Sequence, residues 1–370
     1  MMKEGVVQNS EAPMNGRALE RRTVQFSPDA ANVFFHILTR CNLHCRHCYI
    51  NPAQHGRKTL TIETITRWLA QFAHRQRSAN VIFLGGEPTL HPDLPAAVRS
   101  ARSLGYASVT IDTNGYLFHE ILDRVSPSEV DFFSFSLDGP DPEVNDPIRG
   151  PGSFLRCTKG LKAAKARHFN VSLIYTVSAD NLHALERMPP LLSELGVDRF
   201  FIQVIGVRGK SAQRAGKDEK LQVDRERWLA VVPEVAAETA SRGIMVTWPK
   251  VFLEPGEVFA CAGNVAENFF VFPNGRVYRC PLCEDFPLHA FEIRDHRLVR
   301  TGPINEDNLF SLEIAEGCVM NKLIQPDNLA YDAVGRPLHR IACCMLKEEI
   351  RPCRQKFQKL PRPTPCASRS

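Results

Sequence analysis

The sequence predicts an α/β fold in which strands alternate with helices, followed by a smaller, irregular region rich in cysteine. Between residues 31 and 206, short apolar runs typical of buried strands alternate with segments of helical spacing, which indicates βαβ units and a parallel sheet. From about residue 245 this rhythm ends, and cysteine, proline and glycine become frequent. We therefore expect an N-terminal arm over 1–30, an α/β domain over 31–245, and a cysteine-rich domain with a basic tail over 246–370.

Six segments of the α/β domain have the apolar and β-branched composition of buried strands. They span residues 32–38, 81–84, 108–112, 132–137, 171–177 and 199–205. Apolar residues at helical spacing predict helices over 61–77, 94–104, 116–125, 153–168 and 181–195, with another over 224–242. Six such units fit either an open doubly wound sheet or an incomplete barrel, and the periodicity does not choose between the two.

The overall composition excludes several classes of protein. The chain has 370 residues, of which 44% are hydrophobic and 24% charged, as in globular domains with a sizeable core. The net charge of +5 is too small to indicate a dedicated nucleic-acid-binding protein. No apolar run approaches the roughly 18 residues that a membrane helix needs, and the first residues lack the apolar segment of a secretory signal. We therefore expect a cytoplasmic protein.

The cysteines are unevenly distributed along the chain. Of the twelve, three lie between Cys41 and Cys48, one is Cys157, and eight lie between Cys261 and Cys366. In a reducing compartment, grouped cysteines indicate a metal site or catalysis more often than disulfide bonds. The distribution therefore predicts metal binding in two regions, with Cys157 as a packed thiol and Cys366 outside the ligand set.

Cys41, Cys45 and Cys48 form a C-x3-C-x2-C motif directly after the first predicted strand. Three thiolates this close favour an iron–sulfur cluster or zinc. A structural zinc site has four ligands, and His44 or His47 could supply the fourth, so zinc remains an alternative. An iron–sulfur cluster held by three thiolates would instead leave one iron open to a substrate or a cofactor.

Further motifs lie at or just after the ends of the next three predicted strands. Two glycines permit a close approach of the backbone to a ligand, and a carboxylate suits an ammonium group. The carboxyl ends of parallel strands meet at one edge of the sheet, where α/β folds build their sites. In chain order the motifs are Gly85-Gly86-Glu87-Pro88, Thr113-Asn114-Gly115, residues 134–139 with Ser136 and Asp138, and Asp146-Pro147-Ile148-Arg149-Gly150.

Taken together, the cysteine motif and the strand-end motifs over residues 31–206 resemble those of the radical S-adenosylmethionine (radical SAM) enzymes. The resemblance implies a partial (β/α)6 TIM-like barrel in which Cys41, Cys45 and Cys48 hold a SAM-binding [4Fe–4S] cluster. It also implies SAM contacts at the strand ends, where Glu87 and the neighbouring backbone would receive the amino group. The residues implied in SAM binding are Gly85, Gly86, Glu87, Pro88, Asn114, Ser136, Asp138 and Arg149.

The resemblance also implies a mechanism. One electron, from a donor such as flavodoxin or ferredoxin, cleaves SAM to methionine and a 5′-deoxyadenosyl radical, which abstracts a hydrogen atom from the substrate. The cofactor carries this chemistry, while the protein positions the target C–H bond and excludes water and competing hydrogen donors.

The C-terminal cysteines begin with a predicted β-hairpin. Cys261 is followed by thirteen residues, Gly275, four more residues and Cys280, with apolar runs on both sides of Pro273-Asn274-Gly275. This segment resembles the opening of the SPASM or twitch extensions of radical SAM enzymes, which bind auxiliary iron–sulfur clusters. The full SPASM run C-x2-C-x5-C-x3-C is absent from the sequence. The cysteines could therefore bind one auxiliary cluster, two auxiliary clusters or the zinc ion of a zinc ribbon. The candidate ligands are Cys261, Cys280, Cys283, Cys318, Cys343, Cys344 and Cys353.

The resemblance implies an enzyme that acts in the maturation of a peptide, a protein or a cofactor. A radical SAM dehydrogenase or epimerase acting on a sugar or another small molecule is the alternative enzyme. The alternative of a different class is a non-catalytic iron–sulfur or zinc protein. Such a protein has little use for an open iron or for the Gly-Gly-Glu-Pro loop.

Overall fold

The computed structural model describes residues 20–73, 78–215 and 220–352, and these residues form one mixed sheet of thirteen strands. Across the sheet the strand order is 1-13-8-7-6-5-4-3-2-9-10-11-12. In chain order the strands are β1 (Glu20–Val24), β2 (Ala30–His36), β3 (Ser78–Leu84), β4 (Ser108–Thr113), β5 (Phe132–Ser136), β6 (Val171–Val177), β7 (Arg199–Val204), β8 (Met245–Pro249), β9 (Glu267–Val271), β10 (Arg276–Tyr278), β11 (Phe291–Arg294), β12 (Arg297–Arg300) and β13 (Lys347–Arg351).

The α-helices vary from single turns to a helix of 17 residues. Those of the described residues are α1 (Pro52–His55), α2 (Ile62–Ala73), α3 (Leu94–Ser103), α4 (Ile121–Arg124), α5 (Pro142–Arg149), α6 (Ser153–Ala166), α7 (Met188–Leu195), α8 (Lys210–Ala215), α9 (Arg225–Ser241), α10 (Ala262–Val265), α11 (Asp307–Phe310) and α12 (Val319–Ile324). Among them, none is long and apolar enough to cross a membrane.

The centre of the sheet confirms the predicted α/β class. Strands β2 to β8 run parallel, each beside the next, with helices in the connections. Within the described residues the sheet does not close, because β1 and β12 lie at its two ends, so the arrangement is consistent with a partial barrel. All six predicted strands are present, and β8 adds a seventh parallel strand. The domain boundary expected near residue 245 therefore falls at the first residue of β8.

The cysteine-rich region continues the same sheet. The predicted hairpin is confirmed: β9 and β10 pair antiparallel around a turn in which the Gly275 N–H donates to the Phe272 carbonyl oxygen at 2.9 Å. Gly275 has a φ of +94°, which favours glycine. β9 also lies parallel to β2, while β13 covers the free edge of β8 and pairs with β1. Part of the expected N-terminal arm, Glu20–Val24, is thus a strand.

The two faces of the parallel strands differ in polarity. On one face, Val33 and Phe35 are fully buried, and Phe35 lies 6.2 Å from Trp68 of α2, measured between ring centroids. Alternation places Asn32 on the opposite face, where its side chain joins Asn80 and Asn268 through hydrogen bonds of 3.1 Å. The interior of a parallel barrel is usually filled by Val, Ile and Leu. This polar face is therefore suited to a polar ligand.

Candidate functional site

The three-cysteine loop follows β2 and contacts neighbouring segments of the chain. The Leu43 N–H donates to Cys41 Sγ at 3.3 Å, and the Arg46 N–H donates to the Ile148 carbonyl oxygen of α5 at 2.9 Å. Burial raises the pKa of Cys41 to about 12 and also raises the pKa of Cys45, which the Arg149 guanidinium opposes. These thiols therefore keep their protons until a metal displaces them. Three sulfur donors fit an iron–sulfur cluster that leaves one iron open.

Gly85 and Gly86 bring the end of β3 against this loop. The Gly86 and Glu87 N–H groups donate to the carbonyl oxygens of Leu38 and Arg40, both at 3.0 Å. A Cβ atom at Gly85 would lie 2.5 Å from the Leu38 oxygen, and one at Gly86 would lie 2.3 Å from the Arg40 oxygen. Only glycine allows this backbone approach. The pair therefore positions the chain that leads into the cysteine loop.

The Glu87 carboxylate points into the protein. Its side chain is buried, and it accepts hydrogen bonds from the Thr89 N–H at 3.0 Å, the Thr113 hydroxyl at 2.8 Å and the Asn114 N–H at 2.7 Å, besides one from the Thr89 hydroxyl. The carboxylate thus links the ends of β3 and β4. Its expected contact with the amino group of SAM stays a prediction. Pro88 is also buried and begins a 3-10 turn, Pro88–Leu90.

Asn114 lies beside the first cysteine, and its implied contact with SAM stays a prediction. Its side-chain amide donates to Asn42 Oδ1 at 2.7 Å and to Cys41 Sγ at 3.9 Å. Glycine at the next position, Gly115, has a φ of +89° and packs against the backbone of Cys157 in α6. The structure therefore joins the loop after β4 to the cysteine loop.

Asp138 and Arg149 form a buried ion pair behind the second cysteine. Arg149 Nε lies 2.6 Å from Asp138 Oδ2, and His47 Nε2 lies 3.4 Å from the same oxygen. The Arg149 carbonyl oxygen lies 3.8 Å from Cys45 Sγ. Burial lowers the pKa of His47. Sequence reasoning treated His47 as a candidate zinc ligand, whereas here the ring faces a carboxylate.

The polar face holds a carboxylate that sequence reasoning missed. Asp112 of β4 accepts a hydrogen bond from the Ser134 hydroxyl of β5, and burial raises the pKa of Asp112 to about 7. Ser136, one of the implied SAM contacts, lies two residues beyond Ser134 on the same face, partly exposed. The sequence contains a signal for this residue. Asp112 follows the apolar Ile111 in a short predicted strand, so the alternation of side chains places its carboxylate on the opposite, polar face.

The structure brings most of the C-terminal cysteine candidates together. The thiols of Cys280 and Cys283 are hydrogen-bonded, as are those of Cys261 and Cys343. Burial raises the pKa of Cys318 to about 12. Cys353 lies outside the described residues. The cysteines that line one cavity are Cys261, Cys280, Cys318, Cys343 and Cys344.

Local backbone contacts explain this convergence. Gly317 has a φ of +98°, and a Cβ there would lie 2.4 Å from the Ile341 carbonyl oxygen, which accepts the Cys318 N–H at 3.2 Å. The buried Glu306 carboxylate accepts the Cys280 N–H at 3.0 Å. Together these contacts bring thiols from separate segments to one place. In the described ranges, no three His, Cys, Asp or Glu side chains are grouped to hold a single metal ion.

The open parallel sheet, with a three-cysteine loop at the carboxyl end of β2, defines a radical SAM fold. Residues 35–188 match the radical SAM superfamily model, and the chain contains a radical SAM domain. The cysteine and strand-end motifs predicted this family, and the prediction is confirmed.

Two curated relatives are similar to part of the chain. Fe-coproporphyrin III synthase of Methanosarcina barkeri is 30% identical over 232 residues, which is 60% of this chain and 57% of the relative. Pre-heme d1 synthase of Dinoroseobacter shibae is 29% identical over 188 residues, or 50% of this chain and 46% of the relative. The chain thus spans about half the length of these relatives.

Two solved structures share the fold. SuiB of Streptococcus suis superposes with a TM-score of 0.63 at 16% identity, covering 84% of this chain and 77% of SuiB. The structure of anSMEcpe with bound AdoMet superposes with a TM-score of 0.58 at 14% identity, covering 80% of this chain and 87% of that chain. At these identities the likeness concerns the fold alone.

Proposed function

We propose that this radical SAM enzyme acts in cofactor maturation on a tetrapyrrole and uses an auxiliary iron–sulfur site. The convergence of C-terminal cysteines around one cavity, beside a radical SAM domain, is the observation that carries the auxiliary site. The tetrapyrrole substrate is supported by relatives of the chain that are named as synthases of heme-type molecules.

Cys41, Cys45 and Cys48 would hold a [4Fe–4S] cluster with one open iron. When bound, this cluster and SAM together supply hydrogen-atom abstraction from the substrate. The protein's contribution is geometric. Gly85 and Gly86 allow the end of β3 to pack against the backbone that leads into the three-cysteine loop. The Asp138–Arg149 ion pair supports the same loop at Cys45.

The polar face of the parallel strands is the proposed substrate surface. Asp112, held by the Ser134 hydroxyl, would orient polar groups of the substrate there, beside Ser136, for which a SAM contact is implied. A carboxyl group with a pKa of about 7 can hold or accept a proton near neutral pH, so Asp112 is suited to receive a proton from the substrate.

The C-terminal cysteines would bind the auxiliary cluster in an apolar setting that limits access of water. Phe259, Phe310, Met320 and Met345 line the same cavity as the thiols. Soft sulfur ligands suit iron–sulfur clusters, and zinc on the same thiols is the competing proposal.

We further propose that a small electron-transfer protein, such as flavodoxin or ferredoxin, is the electron donor, and that the protein is cytoplasmic.

The central test is reductive cleavage of SAM. The protein, purified and reconstituted without oxygen, should form 5′-deoxyadenosine from SAM when dithionite is added. The triple variant Cys41→Ala, Cys45→Ala, Cys48→Ala should form none but should retain iron and sulfide at the C-terminal site. Cys157→Ala, a buried cysteine apart from both groups, is the matched control and should keep activity. A wild-type protein with intact clusters that forms no 5′-deoxyadenosine would refute the proposal.

The substrate is tested in the same assay. Iron coproporphyrin III should accelerate the formation of 5′-deoxyadenosine above the rate without substrate, and mass spectrometry should detect a changed tetrapyrrole. If a sugar or a peptide accelerates the reaction and tetrapyrroles do not, the substrate assignment is wrong while the radical SAM chemistry stands.

A further inference from the structure

A short segment lies between the two groups of cysteines and contacts both. This bridge segment is Arg208-Gly209-Lys210, which follows β7 and enters α8. Neither cysteine motif includes it, and the proposed chemistry does not use it.

On one side, the bridge segment lies on the backbone of the third cluster cysteine. The Lys210 N–H donates to the Cys48 carbonyl oxygen at 2.9 Å. Gly209 has a φ of +55°, and a Cβ there would lie 2.5 Å from the same oxygen and 2.8 Å from the Tyr49 backbone. The Arg208 guanidinium lies over the Tyr49 ring, 4.8 Å from its centroid. Any movement of the bridge segment would therefore displace Cys48 and Tyr49.

On the other side, the bridge segment bonds to the Cys280-x2-Cys283 turn and the residues just after it. Arg208 Nη1 donates to the Pro281 carbonyl oxygen at 2.6 Å and to Glu284 Oε2 at 2.8 Å. The Gly209 N–H donates to Asp285 Oδ2 at 2.7 Å. Glu284 is buried, so its pairing with Arg208 is shielded from water. The position of Arg208 thus depends on the conformation of this turn.

A stack of buried rings makes a second connection between the same two places. The Phe272 ring lies between His36 and His55, with centroid distances of 4.1 Å and 4.0 Å. His36 Nε2 lies 2.7 Å from the Tyr49 hydroxyl, and His55 Nε2 lies 3.1 Å from the Glu284 carbonyl oxygen. Burial lowers the pKa of His36 to about 3 and that of His55 to about 4, so both rings are neutral.

We propose that Arg208 is a positioning residue that couples the C-terminal metal site to the SAM-binding cluster. Ligation of Cys280 and Cys283 would hold the turn in the conformation that Arg208 and Gly209 bind. A turn without metal is free to relax, and the bridge segment then loses its support against Cys48. SAM therefore binds tightly when the C-terminal site is occupied. This inference rests on the proposed function, because it requires iron at both sites.

A double-mutant cycle tests the coupling. The wild type, Arg208→Gln, the pair Cys280→Ser with Cys283→Ser, and the combined variant are each reconstituted with iron and sulfide. SAM affinity is measured from the change that SAM causes in the electron paramagnetic resonance spectrum of the reduced SAM-binding cluster. We expect the cysteine pair to weaken SAM binding about ten-fold in the Arg208 protein, a typical coupling between sites. In the Arg208→Gln protein, replacing Cys280 and Cys283 should weaken SAM binding less than about two-fold.

The matched control is Arg187→Gln, since Arg187 is exposed and pairs with Asp141 away from the bridge segment. It should leave the ten-fold effect unchanged. If Arg208→Gln fails to fold by circular dichroism, Asp285→Asn takes its place in the cycle with the same expected outcome. An equal loss of affinity in both backgrounds overturns the coupling but leaves the proposed function standing. A wild type whose iron count accounts for only the SAM-binding cluster overturns both.

Discussion

Asp138 and Glu87 show how single buried carboxylates set the geometry of the cysteine loop. Each is almost without solvent exposure. Asp138 accepts the Thr176 N–H at 2.8 Å and pairs with Arg149, whose carbonyl oxygen approaches Cys45. Glu87 joins the ends of β3 and β4. Their roles in the described structure are therefore to position other groups.

We expect Asp138→Asn to destabilise the metal-free protein strongly. The substitution leaves the buried Arg149 guanidinium without its opposite charge, which typically costs about 3–5 kcal/mol. Urea unfolding followed by circular dichroism measures the change in the free energy of unfolding. Asp123→Asn is the control, because its pair with Arg167 is exposed and contributes at most about 1 kcal/mol. Equal costs for the two variants would contradict the role of Asp138.

Asp112 predicts a pH dependence of stability. Its pKa is about 7 in the folded protein, against an ordinary value of 3.8, because burial favours the protonated form. Between about pH 4 and pH 7 the unfolded chain gives up this proton while the folded chain keeps it. The folded protein therefore loses stability relative to the unfolded chain as the pH rises through this window, by up to roughly 1.4 kcal/mol per unit.

Asp112→Asn removes that titration. The free energy of unfolding is measured in urea at pH 5, 6, 7 and 8 for both proteins. The value for the variant minus the value for the wild type should increase up to about pH 7 and stay constant above it. A difference that does not vary with pH would show that the partly buried carboxyl group does not have a raised pKa in the folded protein.

At the level of elements, close backbone contacts hold the strand-end loops against the helices. The loop after β4 packs on α6, where a Cβ at Gly115 would lie 2.5 Å from the Cys157 Cα, and one at Gly160 would lie 2.2 Å from the Gly115 carbonyl oxygen. These two glycines therefore fix the position of the neighbouring Asn114 beside Cys41.

Gly115→Ala should cost more stability than Gly105→Ala. Both residues have a left-handed φ, +89° and +83°, so both substitutions carry the same conformational penalty, about 1–2 kcal/mol. Gly105 has no atom within 4 Å of the added Cβ, whereas Gly115 meets the α6 backbone. Overpacking should add a further 1–3 kcal/mol, roughly, at Gly115. Chemical denaturation measures both variants, and equal losses would show that α6 moves aside without cost.

Elements were predictable where their pattern is local. The apolar runs of β2 to β7 and the hairpin of β9 and β10 are legible in the sequence. By contrast, β8 is short, fully buried and ends at Pro249, so it shows no alternation. β13 reads as a charged segment, and Glu348 and Glu349 become stable in a strand because Arg21 and Arg22 of β1 pair with them. Such pairing between distant segments leaves no local signal.

At the scale of the whole described molecule, one sheet carries both cysteine regions. β9, from the C-terminal region, pairs with β2, which leads into the three-cysteine loop. The rings of Phe34 in β2 and Phe270 in β9 stack with their centroids 4.5 Å apart, so side-chain packing adds to the pairing of these two strands. The C-terminal cysteine region is therefore held against the radical SAM domain by strand pairing as well as by the bridge segment.

The sequence by itself determined the α/β class, the radical SAM resemblance and the three-cysteine motif, because strand periodicity and ligand spacing are properties of neighbouring residues. Only the tertiary structure decided that Glu87 and Asp138 bind the chain itself, that Cys261, Cys318 and Cys343 share one cavity, and that Arg208 joins the two cysteine regions. The physical reason is that these contacts join segments far apart in the chain. Their formation depends on the order of the strands and on the close approach of backbones at glycine.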